Sequence, residues 1–358
     1  MRRTPALIVG GGPAGVAAAI VLARAGTPHL LLERTRETGD ALCGGFLSWR
    51  TLRTLADLGI AADMLNPAPI RRVRILAGDR SVEARLPAPG ISVSRHRLDS
   101  VMLAHAAAAG AAIERGVSVR AIDARAARTG DGATIAADTL FLASGKHDVR
   151  GLARPGGARG ADPTLGLRLR FAPSPRLARI VGDAVELHLF RGGYVGIALQ
   201  ENGLLNVCMA VHRSRMHAAG GPAALFRTLG DACPRLGERL ADWGGSAPEA
   251  IANVPYGWRA QSTTAGVFRL GDQAAVIPSL AGEGMGIAIA GGRAAAGAYL
   301  DGTAAERWQP AFARTLARPM RAAGLLRRLA ESDAAAALMP LIRPGLIRFG
   351  ANATRIAD

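Results

Sequence analysis

Three glycines near the N-terminus have the spacing of a phosphate-binding turn. Residues 6–9 form a short apolar run, GGGPAG follows at once, and small and apolar residues then continue for the length of a helix. Gly10, Gly12 and Gly15 fit the pattern in which the first permits a tight turn, the second lets backbone approach a pyrophosphate, and the third lets the helix pack closely on the strand. The helix N-terminus adds amide groups that attract phosphate oxygens. The stretch therefore predicts a dinucleotide-binding strand, turn and helix.

A carboxylate follows the second predicted strand. The segment HLLLER ends at Glu33 and Arg34, and Glu33 lies eighteen positions beyond Gly15. There it can accept hydrogen bonds from the two ribose hydroxyls of an adenosine, which favours FAD or NAD over a cofactor with a 2'-phosphate. The expected cofactor contacts of this segment also include Pro13, Ala14 and Arg34.

A second glycine-rich segment, residues 266–292, favours FAD over NAD. Here a short strand leads to Gly271 and Asp272, a loop follows, and a helix of small residues opens near Gly284. A long, two-part cofactor needs such a second anchor: Asp272 can hydrogen-bond a ribityl hydroxyl, and the helix N-terminus can place N–H groups near the flavin N1/C2 carbonyl edge. The predicted contacts are Gly271, Asp272, Pro278, Gly282, Gly284, Met285 and Gly286.

These segments resemble FAD-dependent oxidoreductases of the glutathione-reductase-like class, in the branch shared by aromatic hydroxylases, geranylgeranyl reductases and flavin-dependent halogenases. The resemblance spans essentially the whole chain, through GGGPAG with Glu33, SRHRLD at 94–99, and GDQAAVIPSLAGEGMG. In that branch an arginine that opens a helix contacts the FAD. Arg95 matches this arginine by its spacing, and Arg97 is close enough to compete for the role. The alternative interpretation is that Arg95 lies on a solvated helix face and contacts no cofactor.

A cysteine-glycine loop points to one part of that branch. ALCGGFLSWRTLRTL, residues 41–55, resembles the Cys-Gly-Gly loop and following helix of geranylgeranyl reductases, which would place Cys43 and Gly44 near the flavin ring. Cys43 is thus the one catalytic candidate; alternatively it is a small buried residue with an inert thiol. The family's Tyr-x-Trp-x-Phe-Pro signature is absent, since GGYVGIAL keeps only Tyr194, and the halogenase motifs are absent too.

The stretch TLFLASGKHDVRG, residues 139–151, contains Lys146, the only lysine of the chain. The stretch occupies the position where aromatic hydroxylases carry an Asp-Gly pair beside the FAD pyrophosphate. In this sequence the corresponding pair is Ser144 and Gly145. Our hypothesis is that Lys146 and Arg150 bind an anion, either an FAD phosphate or the phosphate arm of NAD(P)H. The rival interpretation is an exposed turn lysine without a role. Val119 completes the predicted cofactor contacts.

Between the cofactor segments the pattern changes to strands joined by short turns. Residues 71–86 predict an antiparallel hairpin, and several alternating strands follow up to about residue 212. The sequence therefore predicts an α/β fold: a Rossmann-like FAD-binding domain (1–70, 90–160 and 262–303) interleaved with a mainly antiparallel sheet domain (71–89 and 161–261), then C-terminal helices (304–358). Substrate would lie between the domains. The candidate substrate contacts are Phe46, Trp49, Tyr194, Tyr256 and Trp258.

Composition narrows the possible partners. The 358 residues are 49% hydrophobic and carry a formal charge of +16, but the arginines are scattered and no basic run with interleaved aromatics occurs, so we expect no nucleic acid. The charge instead favours anions such as dinucleotide phosphates or a lipid surface. The three cysteines show neither metal-ligand nor disulfide spacing, and no apolar run reaches the length of a bilayer span. The expected location is the cytoplasm, with peripheral membrane contact as an option. The high content of Ala, Gly and Arg is typical of a GC-rich bacterial gene.

The predicted function is that of an FAD-dependent oxidoreductase reduced by transiently bound NAD(P)H. The favoured reaction is that of a monooxygenase of secondary metabolism, which acts through a flavin C4a-hydroperoxide on a lipophilic phenolic or polyketide-like molecule. The alternative is a flavin-dependent alkene reductase similar to geranylgeranyl reductases. A third option is an electron-transfer flavoprotein without a small-molecule substrate of its own.

Overall fold

The two strand patterns of the sequence form two separate sheets. The computed structural model describes residues 2–155 and 162–356. The strands are, in chain order, β1 Arg2–Val9, β2 His29–Glu33, β3 Phe46–Leu47, β4 Pro69–Ala77, β5 Arg80–Ser92, β6 Ala112–Arg115, β7 Val119–Asp123, β8 Ala126–Thr129, β9 Thr134–Leu142, β10 Thr164–Phe171, β11 Ala184–Phe190, β12 Gly193–Leu199, β13 Leu205–His212, β14 Glu249–Val254 and β15 Val267–Arg269.

Helices connect and cover these strands. In chain order they are α1 Pro13–Arg24, α2 Trp49–Asp57, α3 Arg95–Ala108, α4 Pro175–Val181, α5 Arg213–Ala218, α6 Pro222–Ala232, α7 Pro234–Leu240, α8 Gly284–Leu300, α9 Ala305–Thr315, α10 Ala317–Ala330, α11 Ala334–Leu338 and α12 Pro344–Ala353. Most begin after a residue with extended backbone, and Ser48, Ser94 and Ser174 cap α2, α3 and α4 through their side chains.

The first sheet carries the glycine turn. Its order is β6-β2-β1-β9-β8-β7, and β15 also pairs with β9. Strands β6, β2, β1, β9 and β15 run parallel, so their carboxyl ends lie at one edge of the sheet. Both the GGGPAG turn after β1 and the Gly271 turn after β15 are therefore at this edge, where open α/β sheets bind their ligands.

The second sheet has the order β14-β10-β13-β12-β11-β4-β5-β3. Its neighbours are antiparallel except β4 and β11, and the predicted hairpin is β4 with β5. The architecture confirms the predicted fold class. Two features were not predicted: β14, and the pairing of Phe46–Leu47 with β5 although these residues lie within the range assigned to the cofactor domain. The domain division itself stays a prediction, and its boundary between residues 160 and 161 lies outside the described residues.

The C-terminal helices are tied to the rest of the fold by a buried ion pair. Arg355 Nη1 lies 2.9 Å from Glu283 Oε2, and the two side chains are only 4% and 2% exposed. Arg355 also donates a hydrogen bond to the Ala281 carbonyl at 2.5 Å. Burial raises the pKa of Glu283, but the charge of Arg355 opposes this rise. Because Glu283 immediately precedes α8, the pair holds the end of the chain against the second glycine segment. Among the described residues, no helix is both long enough and apolar enough to cross a membrane.

We predict that Arg355→Ala strongly destabilises the protein. The substitution leaves Glu283 buried without its cation, and such changes cost about 3–5 kcal/mol. Equilibrium denaturant unfolding measures the effect. Arg348→Ala is the matched control, because Arg348 is exposed and has no ion-pair partner among the described residues, so it should change the free energy of unfolding by less than about 0.5 kcal/mol. Equal effects of the two substitutions would contradict this role of the ion pair.

Candidate functional site

The first glycine turn requires residues without a Cβ at Gly10 and Gly15. Gly10 has φ +111°, and a Cβ placed on it would lie 2.3 Å from the Ala143 carbonyl oxygen. A Cβ on Gly15 would lie 2.0 Å from the Gly10 carbonyl oxygen. Gly12 precedes α1 without a capping side chain, so the first amide groups of this helix remain open to a ligand. This is the local geometry of a pyrophosphate site.

Glu33 is held beside that turn by three hydrogen bonds. The Gly11 N–H donates to its Oε2 at 2.7 Å, while the Thr35 N–H and hydroxyl donate to its Oε1 at 2.9 and 2.8 Å. The carboxylate is thereby fixed in orientation and keeps lone pairs for further donors such as ribose hydroxyls. Arg34, by contrast, is exposed.

Of the two competing arginines, Arg95 lies at the turn. Its guanidinium donates to both Asp99 oxygens at 2.9 and 2.7 Å, and its Nη2 lies 3.6 Å from a Cβ built on Gly12. Burial disfavours its charge, but Asp99 outweighs this effect and holds the pKa of Arg95 above its usual value. Arg97 instead donates to the Met64 carbonyl at the surface. Arg95 is therefore the cation available to a ligand of the turn.

Lys146 joins the two predicted cofactor segments. Its Nζ lies 3.4 Å from Asp272 Oδ2, and this carboxylate raises the pKa of Lys146, so the ammonium stays charged near neutral pH. Arg150 does not join it: Arg150 is exposed and its backbone bridges to Ala121. Of the two, Lys146 lines the cavity and Arg150 does not, and their joint binding of an anion stays a prediction.

Two residues that the sequence analysis missed hold this junction together. The buried Arg154 donates to the Lys146 carbonyl at 2.6 Å and to the Asp272 carbonyl at 3.0 Å. The buried Gln273 amide donates to the Gly145 and His147 carbonyls at 2.9 and 3.0 Å. Except for the bond from Arg154 to Lys146, these bonds connect positions more than 110 residues apart, so spacing along the sequence gave no sign of them.

A single cavity of about 740 Å³ contacts most of the predicted cofactor residues. Those in its lining are Gly12, Pro13, Ala14, Gly44, Arg95, Gly145, Lys146, Gly271, Asp272, Gly282, Gly284 and Met285. Those outside the lining are Gly10, Gly15, Glu33, Arg34, Val119, Ser144, Pro278 and Gly286. Gly10 and Gly15 shape the turn from behind, and Ser144 donates to the His147 carbonyl at 2.7 Å. Val119 starts β7 and packs against the apolar cluster beneath the first sheet.

The Cys43 loop forms part of the cavity wall. Asn206 donates to the Cys43 and Gly44 carbonyls at 3.2 and 3.0 Å, and the Cys208 thiol donates to the Cys43 carbonyl at 3.1 Å. Burial raises the pKa of Cys208 to about 12, so this thiol remains protonated and serves as a donor. β13 thus fixes the loop. Cys43 lines the cavity, and its place near the flavin ring stays a prediction.

Two tyrosines share a serine in the same cavity. Tyr194 and Tyr256 form hydrogen bonds with the Ser279 hydroxyl at 2.5 and 2.6 Å. Burial raises the pKa of both phenols, so both stay neutral at physiological pH. Phe46 also lines the cavity.

The other two aromatic substrate candidates lie elsewhere. Trp49 packs under the Arg355 guanidinium, which lies 5.3 Å from its ring, and Trp258 donates its indole N–H to the Gln273 carbonyl at 3.3 Å. Neither lines the cavity. Both rings are used to hold neighbouring segments in place.

The remaining wall of the cavity is mainly apolar, although Thr354 and Arg355 also line it. One side is formed by the second sheet, through residues such as Val73, Ile75 and Leu187. The other side is formed by α10 and α12, whose residues Leu326 and Ile347 also line it. Within the described residues, no group of three or more His, Cys, Asp or Glu side chains is arranged to hold a metal ion. The arrangement suits a dinucleotide at the polar end and a long apolar molecule beside it.

We predict that Lys146→Ala raises the Michaelis constant for NAD(P)H on the order of tenfold, because a charge-assisted hydrogen bond is worth about 1.5–3 kcal/mol. FAD content, measured from flavin absorbance, should not change. Arg150→Ala is the comparison variant, since this neighbouring cation is exposed and does not line the cavity. Loss of FAD would assign the anion to the cofactor instead. An unchanged Michaelis constant together with unchanged FAD content would remove the hypothesis.

Comparison with known proteins identifies relatives of this chain. A family model described as FAD binding domain matches residues 3–150. The chain is 26% identical over 377 residues to a digeranylgeranylglycerophospholipid reductase 2 of Methanopyrus kandleri, with 96% of this chain and 91% of that protein covered. It is 29% identical over 319 residues to a menaquinone reductase of Mycolicibacterium smegmatis, with 82% and 76% covered. A crystal structure of a flavoprotein/dehydrogenase from Cytophaga hutchinsonii matches with a TM-score of 0.77 at 16% identity, covering 99% of this chain and 92% of that one, and thereby shows the same fold.

Proposed function

We propose that this chain, whose residues 3–150 match a family model described as FAD binding domain, is an FAD-dependent oxidoreductase that reduces a carbon–carbon double bond in an isoprenoid chain. The observation that carries the proposal is the cavity of about 740 Å³, which is polar beside the glycine turns and mainly apolar from there to the C-terminal helices. The names of two relatives, a reductase of a digeranylgeranyl lipid and a menaquinone reductase, both describe substrates with isoprenoid chains. A long apolar chain is the ligand that such a cavity favours.

The residues present fit FAD. In this proposal the amide groups at the start of α1 and Arg95 bind the pyrophosphate, and Glu33 accepts hydrogen bonds from the adenosine ribose. Asp272 would bind a ribityl hydroxyl. Met285, at the N-terminus of α8, would lie beside the flavin ring. When bound, the flavin supplies hydride chemistry, with NAD(P)H as the transient reductant. Lys146 is placed to attract a phosphate of either dinucleotide.

The protein's own residues then position the substrate and control protons. The apolar walls exclude water from the double bond. Tyr194, Ser279 and Tyr256 all line the cavity and are joined by hydrogen bonds, so their hydroxyls can donate to or accept from a group bound there. Because both phenols are neutral, this cluster can hold a proton beside the substrate without placing charge in the apolar cavity.

Monooxygenation of a lipophilic phenol is the second candidate. The observation that favours it is the incomplete substrate signature: of the reductase pattern Tyr-x-Trp-x-Phe-Pro, only Tyr194 is retained. The cavity volume also accommodates a phenolic or polyketide-like molecule. The two reactions differ in their need for oxygen, and this difference separates them experimentally.

We predict that the FAD-loaded enzyme, supplied with a chemical reductant in the absence of oxygen, converts a geranylgeranyl lipid to a product with two additional hydrogens. Mass spectrometry of the extracted lipid detects this product. The control is Gly15→Val, because a side chain there collides with the Gly10 carbonyl and should abolish FAD binding. A product that forms only with oxygen and gains one oxygen atom would instead establish the monooxygenase.

A further inference from the structure

The C-terminal helices expose a set of large apolar residues at the mouth of the cavity. We call this set the rim; it consists of Leu325, Leu326, Leu329, Leu341, Leu346 and Phe349. Leu325 is 60% exposed, Leu341 67% and Phe349 71%. All members except Leu341 also line the cavity, so the apolar surface is continuous from the interior to solvent. Apolar surface of this kind is uncommon on soluble proteins and marks a site of interaction.

The rim lies on helices that pack against each other. Leu326 Cδ1 on α10 lies 3.6 Å from a Cβ built on Gly350 of α12. On α10, Leu325 and Leu329 are four residues apart, and on α12, Leu346 and Phe349 are three apart, so each pair shares one helix face. The two helices therefore present one joint apolar surface.

Arginines without acidic partners surround the rim. Those that are exposed and have no ion-pair partner among the described residues are Arg318, Arg321, Arg328, Arg343 and Arg348. The two acidic residues of this segment are already paired, Glu331 with Arg327 and Asp333 with Arg191. The surface around the rim is thus apolar and strongly positive.

We propose that the rim docks on a lipid bilayer that contains anionic headgroups, and that the substrate enters the cavity directly from the bilayer. The leucines and Phe349 would lie at the boundary of headgroups and acyl chains, as the apolar face of an interfacial helix does. The arginines would contact the anionic headgroups. A long-chain substrate would then reach the cavity without passing through water.

The charge around the rim argues against a second copy of the chain as its occupant. In a twofold dimer the same surface meets itself, so the unpaired arginines of one copy would face those of the other. Like charges brought together in this way oppose association, whereas an anionic surface attracts them. This inference does not depend on which reaction the flavin site performs.

The test is sedimentation of the FAD-loaded full-length protein with phosphatidylcholine vesicles, prepared with and without phosphatidylserine. The variant is Leu341→Ser with Arg343→Glu and Arg348→Glu, because none of these three residues lines the cavity. We expect the wild-type protein to bind the anionic vesicles, with binding weakened by salt, and the variant to bind at least about tenfold less. FAD content and the circular dichroism spectrum should stay unchanged.

The matched control is Met64→Ser with Arg128→Glu and Arg307→Glu. It removes one exposed apolar residue and reverses two exposed arginines away from the rim, and it should bind like the wild type. If the rim variant fails to fold, Leu341→Ser alone should still reduce binding to anionic vesicles. Equal binding of the rim and control variants would overturn the proposal. So would light scattering that shows a dimer which the rim variant dissociates, because a second copy would then cover the rim.

Discussion

The close packing of α1 against α8 is the constraint on which the site depends. A Cβ on Gly292 of α8 would lie 2.1 Å from the Ala14 carbonyl oxygen of α1, so the two helices approach at backbone contact. One helix follows the first glycine turn and the other follows the second. Their contact therefore brings two segments some 270 residues apart to the same edge of the parallel sheet. Without it, neither turn alone could hold a two-part cofactor.

Charges around the cavity are arranged in pairs that leave the cavity itself largely neutral. Arg95 with Asp99, Lys146 with Asp272, and Arg355 with Glu283 each compensate a charge that burial would otherwise disfavour. The polar groups toward the apolar end are hydroxyls, thiols and the paired Arg355. Such an environment is what our proposed function requires, with phosphates at one end and a hydrocarbon at the other.

What the sequence could predict was local. The glycine turns, Glu33 and Arg95 follow from spacing within one strand, turn and helix, and the structure places them together. Arg154, Gln273 and Arg355 could not be predicted, because each acts on backbone or carboxylate groups more than 70 residues away. Trp49 and Trp258 do not line the cavity, because an aromatic residue near a cofactor segment can equally well pack behind it, and their contact with substrate stays a prediction. The sequence analysis favoured a monooxygenase partly because the reductase signature Tyr-x-Trp-x-Phe-Pro is absent. The absence of a sequence signature says nothing about the shape of the cavity.

One cavity joins the proposed flavin site to an apolar channel, by which we mean the part of the cavity between the second sheet and helices α10 and α12. The most direct measurement is a titration of the oxidised, FAD-loaded protein with isoprenoid alcohols of increasing chain length, followed by the flavin absorption spectrum. We expect a saturable shift of the flavin spectrum, and we expect the affinity for the alcohol to rise with its chain length until the channel is filled. An unperturbed flavin spectrum at every chain length would show that the apolar channel does not reach the flavin, and would contradict the account.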